Sequence, residues 1–277
     1  MSPLEQRPAA SVPRDAPGPR PVPPPPQPEQ LPAMSLLEHL AELRKRLFYS
    51  LGALLLAFLG CWAVSPQLFR FLARPIYRYL PEGQKLVVLA VTDAFMLYVK
   101  VALLAALFVA APIILYHVWR FVAPGLYRRE RRYAAGFIFF GTLLFLSGGA
   151  FAYYVAFPFA VEFLLGVGQE FTPAITGPSY LRFLMTVIVG LALMFQLPVV
   201  IFFLSQVGVV TPRFLMRNFR WAVLAIFVLA ALITPTPDVF NMCLFALPTL
   251  ALYLLGVGVA ALFAPKRETA DDPPAED

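Results

Sequence analysis

The sequence predicts an all-α integral membrane protein that crosses the bilayer six times. Composition is the first observation, because apolar residues make up 60% of the chain and charged residues only 14%. An average soluble domain carries roughly 25% charged residues, so this surface must face lipid rather than water. The second observation is six apolar segments separated by charged loops. They lie at residues 47–64, 94–118, 134–157, 181–206, 219–233 and 239–263.

The two ends of the chain differ from this membrane region in composition. Residues 1–33 contain twelve prolines, and such a segment is predicted to be disordered or polyproline-like. It lacks the apolar core of a secretory signal peptide. We therefore expect a membrane domain at residues 34–264 and a polar cytoplasmic tail at residues 265–277.

An amphipathic helix is predicted just before the first span. Ser35 and Glu38 have the spacing of a capping box, which predicts that the helix begins at Ser35. The apolar face then carries Leu36, Leu40, Leu43 and Leu47, and the polar face carries Glu38, Glu42 and Lys45. Such a helix is expected to lie on the membrane surface.

The fifth apolar segment is short for a membrane span. Its residues 219–233 reach about 22 Å at ~1.5 Å per residue, and Pro235 and Pro237 follow directly. The fifth and sixth segments are therefore predicted to form a hairpin with a tight turn. A re-entrant pair is the alternative.

The loop charges predict that both termini are cytoplasmic. With that orientation the inner loops carry 13 Lys and Arg residues and the outer loops only 4. An excess of Lys and Arg marks the cytoplasmic side. The four outer cations are Arg70, Arg74, Arg78 and Lys85.

Catalytic machinery is not visible in the sequence, and neither an enzyme nor a cofactor or metal site is expected. The two cysteines, Cys61 and Cys243, are far apart, and the two histidines, His39 and His117, lie near the inner surface. No paired carboxylates, HExxH or GxSxG motif occurs within a span. No soluble segment offers the basic face that nucleic-acid binding requires.

Gln196 is the mid-membrane polar side chain of most interest. Pro198 leaves the carbonyl of Met194 without its usual helical donor, and the Gln196 amide could satisfy it. The alternative is an interhelical hydrogen bond to a partner's polar residue.

Two acids, Glu42 and Glu130, lie on the inner side in otherwise basic surroundings. Taken alone, each could form a local salt bridge, Glu42 with Lys45 or Arg46 on the next helical turn. Together, they would suit a ligand that presents guanidinium groups, because a guanidinium binds carboxylates in a planar, two-pronged fashion.

Five motifs in order resemble the TatC family, the large subunit of the twin-arginine protein translocase. Residues 39–47 (HLAELRKRL) resemble its HLxELRxRL motif, and residues 121–132 (FVAPGLYRRERR) resemble its first cytoplasmic loop. The remaining three are APIILY at residues 111–116, FAYY at 151–154 followed by Phe157-Pro158, and TPTPD at 234–238. The resemblance covers about residues 34–263.

The resemblance implies a receptor for the twin-arginine motif in signal peptides of folded export cargo. Glu42 and Glu130 match the glutamates that contact the two arginines. The other positions that match the family's recognition surface are Arg44, Phe121, Pro124, Arg131 and Arg132.

The resemblance also implies partners and a location. Single-span TatA and TatB helices would contact a short fifth and a short sixth helix, in a bacterial cytoplasmic membrane, with the proton-motive force as driver and the chain as a homo-oligomer. Pro75 matches the outer-cap proline, Pro112 lies in the APIILY motif, and Asp238 matches the short outer turn.

Two positions depart from the family pattern. The family usually has a glutamate where Gln196 stands, and an amide cannot ionise, which leaves a protonation-linked role in doubt. Met242 replaces a residue that is polar in many relatives, so Thr234 and Asn241 are the nearer candidates for partner contact.

A small-solute secondary transporter is the alternative function. Pro112, Pro198 and Pro248 interrupt three spans, as broken helices do in transporters. The sequence shows neither an inverted repeat nor charged residues at the midplane, which are typical of that class.

Overall fold

The computed structural model describes residues 36–80, 84–122, 134–168, 170, 174–234 and 238–263. The chain divides into two compact units, residues 1–40 and 41–277, and the described part of the first is only the start of helix α1. The proline-rich segment and the polar tail predicted at the two ends lie outside the described residues.

The described residues form helices and no strand, as predicted; Val87 and Thr176 make one isolated bridge. The elements are α1 (Leu36–Ala63), α2 (Ser65–Tyr77), α3 (Asp93–Val122), α4 (Ala134–Phe151), a π-helical segment (Ala152–Ala156), α5 (Phe157–Val167), α6 (Gly177–Met194), α7 (Leu197–Gln206), α8 (Pro212–Arg217), α9 (Phe219–Ile233) and α10 (Val239–Phe263).

Five helical stretches in the described residues are long and apolar enough to cross a membrane, and α9 is a shorter sixth. Helix α9 has 15 residues, which agrees with the predicted short fifth span. Helix α10 has 25 residues, so the sixth helix is not short as the resemblance implied. Pro248 lies inside α10 without ending it, because neighbouring groups in membrane helices can satisfy the carbonyl that a proline leaves unbonded.

Helix α1 joins the predicted amphipathic segment and the first span in one helix of 28 residues. The prediction treated the amphipathic segment as a separate helix on the membrane surface. No glycine or proline occurs between Leu36 and Gly52 to end the helix there. Glu42 therefore lies on a direct extension of the first span. Helix α1 borders the bundle, since Cys61 is its only buried side chain among those described.

Two prolines interrupt the third and fourth spans. Pro158 stands in the first turn of α5, directly after the π-helical segment, and Pro198 stands in the first turn of α7. A proline is tolerated in a first turn because the N–H it lacks has no partner there. Helix α5 accordingly begins at Phe157 and α7 at Leu197, one residue before each proline.

Helix α6 lies at the centre of the core. Leu181, Leu184 and Leu191 have no exposed surface. At Gly190 an added Cβ would collide with the side chain of Ile233 on α9, and at Gly256 it would lie 2.8 Å from the Cα of Pro198. Small residues of this kind allow membrane helices to approach closely.

Helix α2 forms a cap that packs against α3 and α5. Pro75, inside this helix, has no N–H for the carbonyl of Phe71. The hydroxyl of Tyr153 donates to that carbonyl at 2.6 Å, and the hydroxyl of Tyr180 donates to the Leu72 carbonyl at 2.6 Å. The third and fourth spans therefore bind the cap through its backbone.

Candidate functional site

Glu42 lies in the N-terminal part of α1, just before the apolar stretch of the first span. Its Oε1 accepts a hydrogen bond from Nη2 of Arg46 at 2.8 Å, and both side chains are largely covered, 18% and 14% exposed. The local salt bridge that the sequence left open therefore exists, with Arg46 as the partner, while Lys45 is exposed. The carboxylate of Glu42 is thus already bound to a guanidinium group.

An aromatic cluster joins the inner ends of α1 and α3. The ring of Tyr49 stacks on His117 with centroids 5.4 Å apart, and Tyr116 meets His117 edge-on at 5.2 Å. Nη1 of Arg120 donates to the Tyr116 hydroxyl at 2.7 Å. We call Tyr49, Tyr116, His117 and Arg120 the inner aromatic cluster. It places α1 beside the helix that leads into the loop carrying Glu130.

Two buried nitrogen atoms at this place have no hydrogen-bond partner in the described part of the chain. They are Nε of Arg46 and Nδ1 of His117. The two side chains also interact electrostatically. Buried polar atoms are nearly always bonded, so these nitrogens are available to a bound ligand such as a peptide carbonyl.

The remaining predicted members of the recognition surface are only partly described. Arg44 is exposed, with its guanidinium 5.7 Å from the ring centroid of Phe48. Phe121 is half-buried near the end of α3. Pro124, Glu130, Arg131 and Arg132 lie outside the described residues, so the predicted pairing of Glu42 with Glu130 stays a prediction.

Gln196 bonds to another helix of the same chain. Its Nε2 donates to the backbone carbonyl of Gly141 on α4 at 3.0 Å. This bond differs from both predicted alternatives, since its acceptor is neither the Met194 carbonyl nor a residue of another protein. It links the third span to the break in the fourth.

The turn between α9 and α10 uses three of the predicted partner-contact or structural residues. The hydroxyl of Thr234 donates to the Ala230 carbonyl at 2.8 Å. The two carboxylate oxygens of Asp238 accept from the backbone N–H of Asn241 at 2.7 Å and from its side-chain amide at 2.8 Å. Thr234 and Asn241 are 7% and 1% exposed. Their bonds within the chain stabilise the hairpin, and partner contact by these two residues stays a prediction.

The two prolines of the structural prediction lie in different environments. Pro75 is buried within the cap helix α2, and the Tyr153 hydroxyl bonds the Phe71 carbonyl in place of the N–H that Pro75 lacks. Pro112 lies inside α3 and is exposed on the outside of the bundle.

The sequence did not single out the inner aromatic cluster. One signal was present: Tyr49 and His117 are each about one turn from the basic inner ends of two consecutive antiparallel spans. Consecutive spans are usually adjacent in space, so these rings could have been paired although α2 lies between the two spans in the chain. The bonds of Tyr153 and Tyr180 to the cap have no comparable local signal.

Similarity to known proteins agrees with this architecture. The family model for the Sec-independent protein translocase protein (TatC) matches residues 38–248. A protein of Koribacter versatilis with that name is 47% identical over 241 residues, covering 86% of this chain and 89% of the relative. The chain belongs to the TatC family. A Helicobacter pylori TatC is 40% identical over 228 residues, covering 82% of this chain and 89% of that relative.

Solved TatC structures have the same fold. A crystal structure described as the twin arginine translocase receptor TatC aligns with a TM-score of 0.71 at 34% identity, covering 81% of this chain and 99% of that one. A second crystal structure of that receptor, in the detergent DDM, gives a TM-score of 0.73 at 34% identity. This TatC-family chain is thus a multi-pass membrane protein and a component of the Sec-independent translocase. These similarities do not favour a small-solute transporter.

Proposed function

We propose that this chain is the receptor of the twin-arginine translocase and binds signal peptides of folded proteins at the cytoplasmic face. The Glu42–Arg46 pair carries the proposal. Glu42 is a carboxylate at the membrane boundary that is already bound to a guanidinium group. A signal-peptide arginine would present the same group. Solved relatives described as twin arginine translocase receptors support the same assignment.

Exchange of Arg46 for a peptide arginine is energetically reasonable. A partly exposed ion pair four residues apart on a helix is worth about 0–1 kcal/mol. An incoming guanidinium that approaches Glu42 along both carboxylate oxygens forms two parallel hydrogen bonds, which are stronger and more directional. The internal pair therefore holds the Glu42 carboxylate in place without blocking ligand binding.

Two consecutive arginines in an extended peptide need two hydrogen-bond acceptors, one on each side of the peptide. Successive side chains of an extended strand point in opposite directions. Glu42 on α1 and Glu130 in the following cytoplasmic loop supply one carboxylate each. Arg44, Phe121, Pro124, Arg131 and Arg132 form the rest of the proposed surface. Nδ1 of His117, which has no hydrogen-bond partner among the described residues, is suited to the peptide backbone.

The partner contacts are proposed for the hairpin of α9 and α10. Helix α9 is too short for a full bilayer, which favours local thinning or association with another helix. One of its faces is a stripe of exposed apolar side chains, Trp221, Leu224, Val228 and Leu232. We place single-span TatA and TatB helices there, in a bacterial cytoplasmic membrane, with export driven by the proton-motive force and the receptor working as a homo-oligomer.

Crosslinking tests the receptor assignment. A twin-arginine signal peptide carrying a photoreactive residue beside the arginines is added to membrane vesicles that contain the full chain. The double variant Glu42→Gln, Glu130→Gln is expected to lose the crosslink, because both carboxylates become neutral amides. Glu162→Gln, an exposed carboxylate near the opposite surface, is the matched control. Undiminished crosslinking by the double variant would refute the site.

A further inference from the structure

An apolar cavity of about 220 Å³ lies beneath the cap helix α2. Leu68 and Phe71 of α2 form its roof, and Phe108 of α3 and Tyr154 of the π-helical segment contribute to its walls. Tyr154 is 67% exposed, so the cavity opens to the outside of the bundle, where lipid lies. Its volume is below the ~300 Å³ at which small-molecule pockets begin. A groove of this size suits part of one acyl chain.

The depth of the cavity matches one leaflet of a membrane. Leu104, another wall residue, comes eleven residues after Asp93, at which α3 begins. That is about 16 Å along the helix at ~1.5 Å per residue. Half of a bilayer's hydrocarbon core is also about 15 Å thick. The α3 wall of the cavity therefore lies about one leaflet below the start of α3, a depth that an acyl chain reaches.

Positive charge lines the cap beside the opening. Arg70, Arg74 and Arg78 are spaced at four-residue intervals, so they form one stripe along α2, and all three are exposed. The guanidinium of Arg74 lies 5.7 Å from the ring centroid of Phe71, which lines the cavity. Within the described ranges none of these three arginines makes an ion pair.

The charge is unusual for this side of the protein. The outer loops carry only four Lys and Arg residues, and three of them belong to this stripe. Three arginines with no acidic partner among the described residues, next to an acyl-sized groove, match an amphiphile with a negative head and an apolar tail. We infer that α2 and the cavity beneath it form a binding site for one anionic phospholipid. Its phosphate lies at the arginine stripe and one acyl chain lies in the cavity.

The roof of the site is held in place before lipid binds. Tyr153 lines the cavity and donates its hydroxyl hydrogen to the Phe71 carbonyl. Tyr180 bonds the next carbonyl of the same helix. Since α2 is fixed to the third and fourth spans in this way, the groove is formed before lipid binds. Binding therefore costs little conformational entropy of the protein.

Native mass spectrometry of the purified full chain tests the inference. The protein is delipidated in neutral detergent and titrated with phosphatidylglycerol or with phosphatidylcholine of identical acyl chains. The first lipid to bind is expected to be phosphatidylglycerol, with a several-fold preference. Substituting Arg70, Arg74 and Arg78 by Gln is expected to weaken its binding by roughly fivefold for each arginine removed.

The charge control removes three exposed arginines elsewhere, Arg213, Arg217 and Arg220, and is expected to leave the preference unchanged. Equal retention of the two lipids by the unmodified chain would overturn the inference. Equal loss of the preference in both triple variants would also overturn it, since the attraction would then be a general effect of charge.

Filling the cavity tests the acyl-chain half of the site. Ala150 lines the cavity and is exposed to it, so Ala150→Leu is expected to reduce binding of the first phosphatidylglycerol several-fold. Ala231→Leu, at an exposed position on α9, is the matched control. Ala105→Leu, on the α3 wall, repeats the test if Ala150→Leu does not fold, as judged by circular dichroism and elution volume. Unchanged lipid binding in a folded, cavity-filled variant would overturn the site.

Discussion

The hydroxyl oxygen of Tyr153 lies 2.6 Å from the backbone carbonyl oxygen of Phe71 and donates a hydrogen bond to it. That carbonyl would be bonded within α2 by the residue four positions later, which is Pro75 and has no N–H. Tyr180 donates to the adjacent carbonyl of Leu72. A covered carbonyl without a donor costs about 1–3 kcal/mol. Tyr153 therefore makes a proline tolerable in the cap, and Tyr180 adds a second hydrogen bond between the cap and the fourth span.

Replacing Tyr153 and Tyr180 together by Phe should lower the free energy of unfolding by about 2–4 kcal/mol, because two hydrogen bonds to the cap are lost and the Phe71 carbonyl is left without a donor. Denaturant unfolding in detergent measures it. Tyr154→Phe, which removes an exposed hydroxyl, is the matched control. In a Pro75→Ala background the cost of Tyr153→Phe should shrink, since an alanine at that position restores the backbone donor. An equal cost in both backgrounds would disprove the link to Pro75.

Gly190→Leu should destabilise the chain by about 1–3 kcal/mol, since even a Cβ at this position collides with Ile233. Ile233→Ala should recover part of the loss, because it removes the atoms in the way. Gly60→Leu, where an added Cβ meets nothing within 4 Å, is the control. Thermal unfolding in detergent compares the variants, and failure of Ile233→Ala to improve Gly190→Leu would place the strain elsewhere.

Gln196→Leu should cost about 0.6–2 kcal/mol of stability, the usual range for one interhelical hydrogen bond in a membrane protein. The substitution leaves the carbonyl of Gly141 without the Gln196 donor. Gln67→Leu, an exposed amide on α2, serves for comparison in the same unfolding assay. If both substitutions cost the same, the bond to Gly141 contributes nothing measurable.

Local sequence signals predicted the spans well. The predicted and observed bounds agree at residues 219–233 and 239–263. The apolar runs and the prolines between them set where these two helices begin and end, and both signals are local in sequence. Helix α1 is continuous because no glycine or proline lies between Leu36 and Gly52. The predicted separate surface helix does not take account of this. The apolar run thus predicts the 25-residue length of α10, and only the family resemblance implied a short sixth helix.

Contacts between distant segments were beyond local reasoning. Tyr153 and Phe71 are 82 residues apart, and Gln196 and Gly141 are 55 apart. Their pairing depends on how the spans pack, which hydrophobic periodicity does not specify. At the candidate site, the sequence identified Glu42 and named Arg46 among its possible partners. It did not identify His117, whose contact with Tyr49 exists only once α1 and α3 lie side by side.

Arg46→Gln should tighten binding of a twin-arginine signal peptide by up to about fivefold, because the internal competitor for Glu42, worth about 0–1 kcal/mol, is removed. Lys45→Gln, the exposed neighbour, loses the same charge without touching that pair, so it should not tighten binding. Fluorescence anisotropy of a labelled peptide on the chain in nanodiscs measures the dissociation constant. Equal effects of the two variants would show that Arg46 and the peptide do not compete.

The receptor role is tested most directly by a double-mutant cycle between Glu42 and the peptide arginines. Dissociation constants are measured for the unmodified chain and Glu42→Gln, each with the Arg-Arg peptide and with peptides in which one arginine is glutamine. A direct contact predicts a coupling free energy above about 1 kcal/mol between Glu42 and one of the two arginines. Additive effects at both arginines, with no coupling to Glu42, would contradict the assignment of Glu42 as a signal-peptide ligand.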